Sequence, residues 1–134
     1  PTPLSPLPTA HSDNLALFLV SDHGIHYGRY YDGSAAGSKE HSLPLFYALL
    51  PKKLLAAHRS IERALCLNQH RLVSPFDLHA TLLHILSHPA PPELPAWHSS
   101  YGGIQIDPRS LLTPVPADRT CEQAGIPQSV CPCS

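Results

Sequence analysis

Sixteen prolines in 134 residues decide where regular structure can form. Each fixes its own φ and removes a backbone donor, so clustered prolines are poor material for helix interiors and central strands. They gather at the start (Pro1, Pro3, Pro6, Pro8) and in the later part (Pro89, Pro91, Pro92, Pro95, Pro108, Pro114, Pro116). Those stretches are expected to be extended or irregular. Residues 1–12 show no apolar periodicity and read as a linker or a truncated end, and no structure is assigned to them.

The middle of the chain is different. Leu15 to Val20 is a continuous apolar run between Asp13-Asn14 and Ser21-Asp22, the mark of a strand buried on both faces of a mostly parallel sheet. Gly24 to Gly37, rich in Gly, Tyr and Ser, reads as a long loop. Leu43 to Leu50 is a second strand, with Pro44 near its start and Pro51 ending it. From Pro51 to Leu67 the apolar residues Leu54, Leu55, Ile61 and Leu65, together with His58, keep helical spacing, and one helix is expected. Ser74-Pro75-Phe76-Asp77 opens another, with Ser74 as N-cap, Pro75 in the first turn and Asp77 completing a capping box, running to about Ser87. Beyond His88 the chain is irregular as far as the Gly102-Gly103 turn, with a short strand near Ile104 to Ile106 or Leu111-Leu112.

The length suits one domain at most. The chain contains no methionine and is expected to be a piece of something longer. Nine basic and ten acidic residues leave a formal charge of -1, which creates no field for nucleic acid or an anionic membrane. The longest uncharged apolar run is about six residues, too short to span a bilayer.

Asp22 and His23 follow the run Leu15 to Val20 after a single serine, Ser21. A carboxylate and an imidazole at a strand end can turn toward one cation, and an Asx-type turn with a half-buried histidine is the plainer alternative. His26 follows three residues later and reads as a further ligand, a substrate contact or a loop histidine. Arg29 with Tyr27, Tyr30 and Tyr31 could hold an anionic ester, or simply be solvated. His84 and His88, spaced i, i+4 near a helix end, read as surface residues.

Three motifs in order carry a resemblance. Val20-Ser21-Asp22-His23-Gly24 resembles the metal-binding signature of the alkaline phosphatase superfamily. Leu67-Asn68 with Ser74 to Leu82, and Arg119 to Pro127 followed by Cys131-Pro132-Cys133, resemble one branch of it, the animal sulfatase-like family of unknown function. The likeness runs from about Asp13 to Cys133, so residues 13–134 are expected to be the carboxyl-terminal portion of such a domain.

The resemblance implies an α/β fold, a mostly parallel sheet flanked by helices, with an irregular, Pro-rich, Cys-containing tail. It implies hydrolysis or transfer of a phosphate or sulfate ester with a divalent metal, zinc or calcium. Asp22 and His23 would be ligands, joined by others absent from this chain, and the nucleophile has no counterpart here. Some superfamily members use a late histidine as a further ligand, which makes His79 a candidate. On its expected helix, however, His79 shares a face with Leu82, Leu83 and Leu86 and reads as a core histidine. The alternative reading of the whole is a non-catalytic secreted binding domain of the same fold.

The resemblance also implies an extracellular or secretory-lumen setting. Disulfides among Cys121, Cys131 and Cys133 are then expected over a zinc site that would need Cys66 or His98 as its fourth ligand. The pairing stays open. Cys66, on a helix, is expected to be a buried free thiol.

Overall fold

A computed structural model describes residues 14–87 and 100–133. The expected linker over 1–12, the irregular stretch over 88–99, and with them His88 and His98, lie outside the described residues. The chain divides into two compact units, Pro1–Arg59 and Ser60–Ser134.

The first unit is built on two strands, β1 (Leu17–Val20) and β2 (Phe46–Leu49). They pair antiparallel, Leu17 opposite Leu49 and Val20 opposite Phe46. Phe18 and Phe46, on one face, stack with ring centroids 6.3 Å apart, the diagonal cross-strand contact that aromatic side chains can reach. The chain is mixed α/β, but no parallel pairing occurs among the described residues. The burial expected of β1 is corrected as well: Leu19 is 47% and Val20 52% exposed. An apolar run looks the same whether both faces are covered or left open, so the sequence pattern could not separate the two.

The connection between the strands holds two short helices, α1 (Arg29–Gly33) and α2 (Ala35–Ser42), where a loop was expected. Ser34 joins them: its Oγ donates to the Tyr30 carbonyl at 2.7 Å and accepts from the Gly37 N–H at 3.0 Å, capping α2. Gly37 is required where it stands, because a Cβ there would lie 2.3 Å from the Tyr30 carbonyl oxygen.

The helix expected over 51–67 is two helices, α3 (Lys52–Ala57) and α4 (Arg59–Asn68). His58 ends α3 by donating its N–H to the Leu54 carbonyl at 2.9 Å, while its φ of -127° and ψ of 74° leave the helical region. Apolar spacing continues across this break, which hid it in the sequence.

In the second unit α4 buries Ile61, Ala64 and Asn68, and α5 (Pro75–Ser87) buries Asp77, Ala80, Thr81 and His84, each set on one helical stripe. The Ser74 N–H donates to Asp77 Oδ2 at 2.8 Å, the reciprocal bond of a capping box. A small hairpin, β3 (Ser100–Tyr101) and β4 (Ile104–Gln105), turns through Gly102 and Gly103, both at positive φ as a two-residue turn of this kind requires.

The tail after β4 lacks long elements yet supplies most of the core: Ile106, Leu111, Leu112, Val115, Cys121 and Ala124 are buried. Irregular backbone that is buried needs partners from elsewhere. Asn68 provides three, its amide donating to the Leu111 and Thr113 carbonyls at 3.1 and 2.9 Å and its Oδ1 accepting from the Val115 N–H at 2.9 Å. Thr81 Oγ1 accepts from the Leu111 N–H at 2.8 Å. Asp77 accepts the Arg109 N–H at 2.7 Å and both arms of Arg119 at 2.7 and 2.9 Å, with both side chains almost fully buried. Thr120 to Ile126 forms one closed turn, with reciprocal Thr120 and Gln123 bonds at its start and Ile126 N–H donating to the Cys121 carbonyl around Gly125 (φ 71°) at its end.

Candidate metal centre at the Asp22-His23 turn

Antiparallel pairing fixes what lies beside Asp22 and His23. After Val20 the ladder gains one more rung, Ser21 N–H to the Leu45 carbonyl at 3.0 Å, and Leu45 N–H donates to Ser21 Oγ at 2.7 Å. Ser21 therefore ties the turn to the other strand. Gly24 follows, its N–H donating to the His41 carbonyl at 3.3 Å, and a Cβ on it would meet the Glu40 carbonyl oxygen at 2.5 Å. Residues that leave β1 are thus held against the end of α2, which precedes β2.

Between these anchors Asp22 and His23 project outward, their side chains 86% and 41% exposed. Asp22 Oδ1 accepts the His23 N–H at 2.9 Å. This bond is the main reason the carboxyl sits below its ordinary value of 3.8, with its own N–H and the His23 ring adding to the effect. His23 Nδ1 lies 2.7 Å from the Gly24 carbonyl oxygen, so that nitrogen carries a proton, and in the neutral ring Nε2 would be the electron-pair donor. Nε2 faces Asp22 Oδ2 at 3.5 Å.

That donor set fits a cation. Two ligand atoms held about 2.0–2.1 Å from a tetrahedral zinc stand roughly 3.4 Å apart. An imidazole whose second nitrogen donates to a backbone carbonyl is the usual arrangement of a ligating histidine.

His26 and His41 complete a cluster of imidazoles. Their rings stand edge-on to His23 at centroid distances of 4.8 and 5.2 Å, and His41 Nδ1 is 3.4 Å from the same Gly24 carbonyl. Tyr27 packs on His26 and Tyr31 on His41. Tyr30 belongs instead to Glu40; burial first, then that carboxylate, raises its phenol above 10.0. The sequence reading found His26 but passed over His41. An antiparallel pairing would have pointed to it, because residues just after β1 and just before β2 then meet.

The other candidates stand in the second unit. His79 lies on an exposed side of α5 with Leu82 and Leu86, 41% and 83% exposed, and is not the core histidine its spacing implied. His84 corrects the opposite way: it is 5% exposed and its Nδ1 is 2.8 Å from Ser110 Oγ. Cys121 and Cys131 form a disulfide across 6.0 Å between Cα atoms. Cys66 is a free thiol but an exposed one, since it falls off the Ile61, Ala64, Asn68 stripe. Cys133 is free and exposed, and its Sγ lies within 4.8 Å of both bridged sulfurs. Among the described residues these three cysteines are the one group of three metal-capable side chains gathered that closely.

A mixed α/β chain with a carboxylate and an imidazole exposed at a strand end, and a tail closed by a disulfide, is the class these features define. The family described as Protein of unknown function (DUF229) matches residues 10–134, and the chain belongs to it. No curated protein and no solved structure matches the chain.

Proposed function

We propose that this chain is the carboxyl-terminal part of a sulfatase-like domain of the alkaline phosphatase type, in which Asp22 and His23 are two ligands of a divalent cation, zinc or calcium. The reading rests on one observation: Asp22 Oδ2 and His23 Nε2 face each other at 3.5 Å while Nδ1 is tied to Gly24. A cation bound there would polarise a phosphate or sulfate ester and gather its oxygens. Ser21 and Gly24 hold the two donors in place, and the rings of His26 and His41 stand beside His23. The remaining ligands and the nucleophile come from outside this chain. The Cys121–Cys131 bridge supports an extracellular or secretory-lumen setting.

A second reading keeps the fold without the chemistry, as a secreted binding domain. Both are tested on the full-length parent by metal analysis and ester hydrolysis, with Asp22→Ala and His23→Ala. The enzyme reading expects bound metal to fall by at least about tenfold in either variant, with hydrolysis falling alongside. Wild-type metal content and activity in both variants would sink the metal centre. Metal binding without hydrolysis in the unmodified parent would favour the second reading.

A further inference from the structure

The tail carries three cysteines where its bridge needs two. Cys121 is 7% exposed and fixed by the closed turn of Thr120 to Ile126, whose last bond is made to the Cys121 carbonyl. Cys131 follows a single 3-10 turn, Gln128–Val130, and is half-buried; Cys133 comes two residues later and is exposed. All three Sγ atoms lie within 4.8 Å of one another. A free thiol that close to a disulfide is within reach of attack after a small rotation of one side chain.

We propose that Cys121, Cys131 and Cys133 form a thiol–disulfide exchange centre in which Cys131 and Cys133 alternate as the partner of Cys121. The Cys133 thiolate attacks Cys121 Sγ, the Cys121–Cys131 bond breaks, and Cys131 leaves as a thiolate that takes up the proton Cys133 released. One disulfide is consumed and one formed, so no outside oxidant or reductant enters. Loop closure does not choose between the two states: the bridges join residues 10 and 12 apart in sequence, and closure entropy grows only with the logarithm of length. Local packing alone sets the ratio. The exchange moves the reactive thiol from an exposed position to a half-buried one, which changes what a second thiol or disulfide in solution can reach.

The test is a peptide map of the native, non-reduced Cys66→Ser protein, held at about pH 8 to populate thiolate and then quenched in acid and alkylated. Cleavage after Glu122 leaves Cys131 and Cys133 together on one peptide bridged to Cys121, and tandem mass spectra should place the label on Cys133 in one fraction and on Cys131 in the other, the minor at no less than about one tenth of the major. Cys133→Ser should leave the Cys121–Cys131 bridge alone, and Cys131→Ser should form the Cys121–Cys133 bridge. Label confined to Cys133 after prolonged incubation, or a Cys131–Cys133 peptide in place of Cys121–Cys133, would overturn the proposal. Because the map is first read with all three tail cysteines intact, poor folding of a variant cannot decide the outcome.

Discussion

Asp22 and Asp77 are both members of conspicuous motifs, and the two units use them in opposite ways. Asp77 is fully buried and takes bonds from Ser74, Arg109 and both arms of Arg119. Asp22 is exposed; its Oδ1 is occupied by the next backbone N–H, and its Oδ2 faces the His23 ring. One carboxylate builds structure and the other presents a charge. The same contrast runs through the units around them. Among the described residues buried apolar side chains begin at Ile61, whereas Leu19, Val20, Leu43, Leu45 and Tyr47 in the first unit are exposed. A two-stranded ribbon has little stability of its own, and apolar surface of this kind is what packs against a further layer.

The comparison breaks first, if it breaks, at Asp77. Asp77→Ala strands a buried guanidinium and leaves the Ser74 and Arg109 N–H groups without their acceptor, so the expected loss is about 3–5 kcal/mol. Leu45→Ser in the first unit should stay within about 0.5 kcal/mol. Urea unfolding of both variants checks the pair, and equal losses would mean that Leu45 is not free surface. Gly125→Ala comes next. At φ 71° its Cβ would lie 2.7 Å from the Phe76 ring, and the expected cost is about 1–3 kcal/mol, read as a lower unfolding midpoint with an unchanged urea slope.

What the sequence told in advance follows the same division. Helix α5 was legible from Ser74 to Ser87, because capping and the proline at its first turn are local signals. The Gly102-Gly103 turn was legible for the same reason. The Asp77–Arg119 pair was not, since it joins residues 42 apart and Asp77 read only as a capping residue. At the candidate site Asp22, His23 and His26 were found from adjacency. His41 was missed because a parallel sheet was expected, and strand direction decides which loops meet. Burial was least legible of all: His79, His84 and Cys66 each carried the wrong expectation, because a helical stripe tells which residues share a face but not which face is covered.

The smallest effect is the sharpest test of Asp22. Its carboxyl sits below 3.8 chiefly because it accepts the His23 N–H, a bond made only in the folded chain. A depressed folded value means that the carboxylate's contribution to stability is present above about pH 3.8 and is lost as pH falls through the lower folded value. Titration of the Asp22 carboxyl carbon by NMR should give a midpoint below the ordinary one. His23→Ala removes the ring but keeps the N–H, so the midpoint should rise only part of the way. A full return to the ordinary value would put the ring first and the backbone second, and the turn would then hold Asp22 by charge rather than by geometry. That outcome would erase the contrast with Asp77, whose place is fixed by bonds from three directions, and would weaken the case that Asp22 and His23 are preset to receive a cation.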